Sequence, residues 1–301
     1  MTSLFLSSGD LIADRRYQFA RDLAARGDLA AAADLYAQAA EVAPGFASAW
    51  FALGEARADL GERDAAVAAF EQARAADPED RHGAVLRLVQ LGAADAAMPP
   101  GYVRAVFDQY AARFDSALAE LHYRGPALLL EAVRATSVPM TFGTMLDLGC
   151  GTGLAAAAFR PHVATMAGVD LSPAMVQEAR GKGLYDRLAV GDVTPFMEAE
   201  PGGTAHLVVA ADVFVYLGDL APVMAAAARV LAPEGLLAFT VETHDGPGIV
   251  LGEKLRYAHS AAYLRQVLAA AGLAPLTLES ASTRDEGGVP VPGLVVVAKP
   301  R

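Results

Sequence analysis

The stretch richest in chemistry is Met145-Leu-Asp-Leu-Gly-Cys-Gly-Thr-Gly153. Glycines at 149, 151 and 153 alternate with single residues. They follow an apolar run, Thr144–Leu148, and precede a helical run from Leu154. A glycine-rich turn between strand and helix lets the backbone approach a ligand with no side chain in the way. The spacing is G-x-G-x-G, whereas a dinucleotide fold more often shows G-x-G-x-x-G, with pyrophosphate on the helix N-terminus. Asp147 stands just before the turn. A carboxylate there repels pyrophosphate and suits a ligand carrying an ammonium and a sulfonium.

More acids follow at strand ends. Asp170 lies 17 residues beyond Gly153 and closes the apolar run Val163–Val169. At the end of a second strand it is placed to accept hydrogen bonds from both hydroxyls of a ribose. Ser172-Pro173 then reads as an N-cap and first helical residue. A third strand, Arg187–Val190, leads into Gly191-Asp192-Val193, where Asp192 is either a ligand acceptor or a turn aspartate. A fourth, His206–Ala210, runs into Ala211–Leu217. There Asp212 is either a site residue or a helix cap.

The nonapeptide 145–153, the acid at 170 and the turns at 191–193 and 211–217 together resemble the class I S-adenosylmethionine-dependent methyltransferases. The resemblance covers roughly residues 102–301. It implies a Rossmann-like α/β domain with a seven-stranded sheet of order 3-2-1-4-5-7-6, the last strand antiparallel. It also implies that S-adenosylmethionine is bound by Asp147, Leu148, Gly149, Cys150, Gly151 and Gly153 of the loop. Asp170, Leu171 and Met175 would follow at the second strand, with Gly191, Asp192, Val193 and Asp212 beyond. An aromatic stretch, Tyr102–Tyr123, contains FDQYAARFD and is similar to the lid of small-molecule methyltransferases. By that likeness Tyr110 and Tyr123 touch the cofactor; otherwise the stretch is an amphipathic helix whose aromatic stripe is core.

Methyl transfer is an in-line displacement at a sulfonium carbon, so the protein mainly aligns the reactants and sometimes removes a proton. Ligands bind at the carboxyl edge of such sheets. Polar residues expected there are Tyr216, Glu242, His244 and His259, with His259 a candidate general base and Tyr216 and Glu242 further catalytic candidates. No Asn/Asp-Pro-Pro-Tyr follows the fourth strand, which counts against the amino-methyltransferases of DNA and glutamine. No His, Cys or carboxylate spacing suggests a metal. The remaining pattern predicts helices over Pro126–Thr136, Leu220–Leu231 and His259–Ala271. Strands are expected over Gly235–Glu242, Leu276–Ser280 and Leu294–Lys299.

The elements before residue 100 repeat with a period of 34: Gly27 and Gly61, Ala32 and Ala66, Tyr36 and Phe70, Ala39 and Ala73, Pro44 and Pro78. Small residues let paired helices approach, while Trp50, Leu53 and Phe70 fill the gaps. The second unit, with Trp50, Leu53, Gly54, Gly61, Ala66, Phe70, Ala73 and Pro78, resembles the tetratricopeptide repeat (TPR). The first is looser, with Arg16 where the tryptophan belongs and Ala20 where the glycine does. Arg81–Leu91 reads as a capping helix. The expected domains are TPR-like repeats over 1–95, linker and lid helices over 96–137, and the cofactor-binding core over 138–301. The repeats either bind a protein segment or only pack, on the enzyme or in a homodimer.

Composition narrows the classes. The chain has 301 residues, is 54% hydrophobic and 20% charged, and has a formal net charge of −11. Residues 1–100 hold 9 Lys+Arg against 15 Asp+Glu, and residues 101–301 hold 15 against 20. A nucleic-acid partner wants a basic face, so none is expected. The single cysteine, Cys150, allows no intramolecular disulfide and fits a reducing, cytoplasmic setting. No signal peptide or membrane span is expected. The reading is a methyltransferase acting on a small molecule. The alternatives are a protein or peptide methyltransferase that recruits through its repeats, and a non-catalytic cofactor-binding scaffold. A nicotinamide-dependent oxidoreductase would want the other glycine spacing and a hydride-transfer site, and neither is found.

Overall fold

A computed structural model describes residues 4–95, 97–136 and 140–301. The expected domain limits at 96 and 137–138 lie outside the described residues. The chain forms two compact units, Met1–Val106 and Phe107–Arg301.

In the first unit, α1 (Leu11–Ala25) pairs with α2 (Leu29–Val42), and α3 (Ala47–Asp59) with α4 (Arg63–Ala76). A shorter α5 (Ala84–Gln90) follows. Asp10 caps α1 and Asp28 caps α2, each accepting backbone N–H bonds through its side chain. Gly27 and Gly61 close the two hairpins at φ +85° and +78°, where other residues are strained. Alanines at 13, 20, 32, 39, 66 and 73 are buried, so the backbones approach closely around Tyr17, Phe46 and Phe70. Trp50 is only half buried and packs at the edge of two clusters, while Phe51 is the deeper aromatic. The expected cap, Arg81–Leu91, starts at Ala84. Gly83 before it is left-handed (φ +76°), and the Asp80 carboxylate accepts from the N–H groups of Ala84 and Val85. Residues 97–106, expected with the linker and lid helices, belong to this unit. Gly101 lies against the Glu79 backbone and the Tyr102 ring covers Gly83, where added side chains would collide.

The stretch Tyr102–Tyr123, read as lid helices or as an amphipathic helix, falls in α6 (Pro100–Tyr110), a 3-10 turn at Ala111–Arg113, and α7 (Phe114–Glu120). His122 then turns the chain at φ +52°, and α8 (Gly125–Thr136) leads to the sheet. Strands and helices alternate: β1 (Phe142–Leu148), α9 (Leu154–Phe159), β2 (Val163–Asp170), α10 (Pro173–Gly181), β3 (Arg187–Val190), α11 (Val193–Ala199), β4 (Ala205–Ala210), α12 (Ala221–Val230) and β5 (Leu231–Glu242). The chain ends with β6 (Ile249–Leu251), β7 (Tyr257–His259), α13 (Ala261–Ala270), β8 (Leu273–Ser280), β9 (Asp285–Glu286), β10 (Val289–Pro290) and β11 (Gly293–Pro300).

The sheet runs β3-β2-β1-β4-β5-β11-β8. Neighbours are parallel as far as β5, and β11 lies antiparallel between β5 and β8. Apolar cores cover both faces, as parallel sheets require. Order reverses between β1 and β4, which opens the crevice where such sheets bind ligands. Four short strands were not expected, of which β9 pairs with β10. β6 and β7 form a short pair, and Ala258 of β7 joins Glu242 of β5. The helix expected from His259 therefore starts at Ala261, with Ser260 as its N-cap. Pairing with β6 keeps residues 257–259 extended.

Candidate functional site

β1 delivers the glycine turn to the reversal point. Gly149, Gly151 and Gly153 have φ of +58°, +52° and +91°. A methyl on Gly149 would sit 2.5 Å from the Val213 side chain. The position therefore needs glycine both for its backbone angle and for space. Asp170 ends β2 and ties the turn down: one oxygen accepts from the Gly151 N–H at 2.9 Å, the other from the Ser172 N–H at 2.8 Å. Burial pushes its carboxyl up against these two bonds. Each oxygen retains capacity to accept from a ligand hydroxyl. Ser172 caps α10 through Met175 N–H, and Asp192 caps α11 through Thr194 N–H. Leu148, Cys150, Met175 and Val193 are buried beneath, and Leu171 and Gly191 are half buried.

Asp147 is a correction to the sequence reading, which turned its carboxylate toward a cationic ligand. It is 1% exposed, and its Oδ2 accepts from the Tyr185 hydroxyl at 2.6 Å. It pairs across the sheet with Gly168 of β2 and Val209 of β4, so its side chain stays inside the domain. Burial raises its carboxyl to about 7, which the Tyr185 bond opposes and the neighbouring Asp170 reinforces.

Contacts from α6 and α7 reach the same loop through residues not singled out in the sequence. Asp108 of α6 accepts from the Ser172 hydroxyl at 2.5 Å and from the Ala174 N–H at 3.3 Å. Asp115 of α7 accepts from the Thr152 hydroxyl at 2.5 Å and pairs with Lys182 at 2.6 Å. The Phe114 ring lies 3.6 Å from where a Gly151 methyl would be. The signal was present: Phe-Asp occurs at 107–108 and again at 114–115. Seven residues is two helical turns, which returns both pairs to one face. Tyr110 instead lies beneath the Arg113 guanidinium, whose Cζ is 4.6 Å from the tyrosine ring centroid. The Tyr123 phenol is raised well above its ordinary range, first by burial and then by Asp212.

Beyond β4, Asp212 sits at φ +56°, a left-handed conformation for a non-glycine residue. Thr240 both accepts from its N–H (2.8 Å) and donates to its Oδ1 (2.7 Å). Thr283 and Arg284 donate to Oδ2, each at 2.8 Å. Asp212 is therefore anchored by Thr240, Thr283 and Arg284 and caps no helix. Arg284 also pairs with Glu242 and with Glu286, the latter at 3.0 Å. Arg256 binds Glu242 at 2.6 Å and Glu286 at 2.5 Å. Glu286 is held down to about 2; burial opposes this, while Lys254, Arg256 and Arg284 outweigh it.

That network corrects Glu242 as a catalytic candidate, since its Oε1 is committed to two guanidinium groups. His259 is corrected as well. It is fully buried, and its Nε2 lies 3.0 Å from the carbonyls of both Leu217 and Gly218, so that nitrogen carries a proton. Nδ1 is buried without a partner, and burial lowers the imidazole pKa. A general base must reach its proton; His259 instead pins the loop after β4. His244 is also engaged locally, with the Gly248 carbonyl at 3.2 Å and the Gly246 N–H at 3.1 Å. Tyr216 stays at the front, its ring edge-on to Phe107 at 5.4 Å, and Phe107 meets Phe114 at 6.0 Å. These rings make an aromatic wall beside the glycine turn.

The fold is the Rossmann-like α/β fold of methyltransferases, with a mostly parallel central sheet. A methyltransferase-domain family model matches residues 99–278, more than half of the chain, and the chain belongs to that family. It is 34% identical over 143 residues to methyltransferase-like protein 27 of Homo sapiens, covering 46% of this chain and 57% of that one. It is 30% identical over 123 residues to a ubiquinone biosynthesis O-methyltransferase of Thiobacillus denitrificans, covering 38% and 51%. The chain thus spans about half the length of the curated relatives it matches. Among solved structures it resembles the Burkholderia thailandensis 1,6-didemethyltoxoflavin-N1-methyltransferase, solved with bound 1,6-didemethyltoxoflavin and S-adenosylhomocysteine. The TM-score is 0.55 at 18% identity, over 69% of this chain and 92% of that one. A SAM-dependent methyltransferase of Leishmania major gives 0.54 at 17%, over 66% and 82%. Among the described residues no helix is long and apolar enough to cross a membrane.

Proposed function

We propose that residues 107–301 bind S-adenosylmethionine and transfer its methyl group to a small-molecule acceptor. The carrying observation is the arrangement at the ends of β1 and β2. There a cradle that a side chain on Gly149 would fill lies beside Asp170, which holds Gly151 and Ser172 in place. These residues suit the donor. The turn offers bare backbone for its amino-acid end, and Asp170 offers two oxygens for its ribose hydroxyls. Leu171 and Met175 would flank the adenosine, and Asp192 with Gly191 and Val193 would face the base. Bound there, the cofactor supplies a methyl group already activated by its sulfonium.

The aromatic wall of Phe107, Phe114 and Tyr216, together with Tyr110 and Tyr123, favours a small acceptor enclosed under the lid. Glu242 and His259 have no proton-accepting role in this reading. Tyr216 and Tyr123 are polar groups that would orient the acceptor. The name of the Thiobacillus relative, an O-methyltransferase, agrees with a small acceptor. The helical hairpins fit tetratricopeptide repeats, with Gly54 accommodating Phe70 and glycines at both turns. The lone buried cysteine suits the cytoplasm.

The test is calorimetric titration of S-adenosylmethionine and S-adenosylhomocysteine into the whole protein and its Asp170→Ala variant. Losing two charge-assisted ribose bonds costs about 2–4 kcal/mol, or roughly 30- to 1000-fold in affinity. No binding by the wild type at about millimolar ligand would remove the catalytic reading.

A further inference from the structure

We propose that Tyr185 is a positioning residue for the cofactor: its hydroxyl clamps Asp147 behind the glycine turn and favours the ionised form of that carboxylate where a cationic donor binds. This rests on the cofactor reading above.

The clamp is built from several separate elements. Tyr185 belongs to the connection between α10 and β3, Asp147 to β1, Gly168 to β2 and Gly153 to the turn. A methyl on Gly168 would lie 2.7 Å from Cε1 of Tyr185, and one on Gly153 would lie 3.2 Å from Cε2. The ring thus fills the space of two missing side chains, and its hydroxyl lands 2.6 Å from Asp147 Oδ2. A phenylalanine would fill that space equally well. Only a hydroxyl explains the approach to a carboxylate that is 1% exposed.

A buried carboxylate without a donor takes up a proton. The titratable groups facing Asp147 are Tyr185, Asp170 of β2, Cys150 of the turn and Tyr123 before α8. Among these the Tyr185 hydroxyl is the donor that favours the charged form, while burial and Asp170 oppose it and leave the carboxyl at about 7. The turn therefore has a charge behind it that is half present near neutrality. An ionised Asp147 attracts a sulfonium through the low-dielectric interior without touching it.

The experiment measures the affinity of the whole protein for S-adenosylmethionine and S-adenosylhomocysteine by calorimetry, from about pH 6 to about pH 9. The two ligands share an ammonium group, but only the first has a sulfonium, so their affinity ratio isolates that charge. In the wild type the preference for S-adenosylmethionine is expected to grow as pH rises through about 7. In Tyr185→Phe, which keeps the ring, the midpoint is expected to move up by about 1–2 pH units. In Asp147→Asn the preference becomes independent of pH. An unshifted midpoint in a Tyr185→Phe protein that binds both ligands overturns the proposal, as does an unchanged pH profile in Asp147→Asn. A wild type that binds neither ligand overturns the cofactor reading instead, and this role with it.

Discussion

Gly54 and Gly168 do the same steric work in different units. Each leaves room for an aromatic ring: a methyl on Gly54 would lie 2.6 Å from Phe70, and one on Gly168 would lie 2.7 Å from Tyr185. In the helical unit the ring ends in hydrogen, and packing is its whole contribution. In the sheet the ring ends in a hydroxyl aimed at a buried acid. The helical unit is built around alanine and aromatic cores. The carboxyl edge of the sheet buries or half-buries Asp147, Asp170, Asp212, Glu242 and Glu286. The helical unit buries acids too, but Asp77 is paired with Arg81 and Asp80 is spent on the first N–H groups of α5.

The contrast breaks most visibly under truncation. Phe70→Ala is expected to cost about 3–5 kcal/mol in unfolding free energy, measured by denaturant titration, by leaving a cavity. Cofactor affinity should stay within about 2-fold, since Phe70 and the glycine turn belong to different compact units. Arg284→Ala should cost a similar 3–5 kcal/mol or so for a different reason, by stripping Asp212 and Glu242 of their shared buried cation. An Arg284→Ala protein of unchanged stability would mean that water replaces that cation.

Gly168→Ala presses on the Tyr185 ring and should destabilise by about 1–3 kcal/mol, while also weakening cofactor binding, which Phe70→Ala does not. Asp147 sharpens the comparison through pH. Its folded value is raised to about 7 from an ordinary 3.8. Its protonated form is therefore the one folding favours, and the stability it contributes below the ordinary value is lost as pH rises through about 7. Asp147→Asn should accordingly raise stability above about pH 7, by roughly 1–3 kcal/mol in thermal or urea unfolding, while weakening cofactor binding. Stability and binding would change in opposite directions, a pattern no substitution in the helical core should give. The smallest effect belongs to His122→Ala. That side chain is 77% exposed, its bond to Asp285 is 3.2 Å, and removal should stay within about 0.5 kcal/mol by the same unfolding assay.

What was legible before folding was local. The glycine turn, Ser172 as an N-cap, the strand ending at Asp170 and the 34-residue repeat all depend on residues close in sequence. What was missed depends on distant partners. His259 read as a catalytic base because a lone histidine before a helix gives no hint of the carbonyls at 217 and 218 that face it. Glu242 read as available because Arg284 lies 42 residues away. Tyr185 was passed over because nothing nearby marks it, while its partner Asp147 is 38 residues earlier. Asp108 and Asp115 were the exception, since the repeated Phe-Asp at two-turn spacing was visible in the sequence.

By itself, then, the sequence determined where the chain turns, which residues are glycine because the backbone is left-handed, and which acids stand at strand ends. Backbone angles and caps are set within a few residues, so these follow from local chemistry. The tertiary structure decided which of those acids are spent on neighbours. Parallel pairing puts Asp147 beside Gly168, opens a slot the width of one ring, and lets Tyr185 reach a carboxylate that water no longer solvates. A charge removed from water takes its properties from whatever donor reaches it, and only the folded sheet supplies that donor.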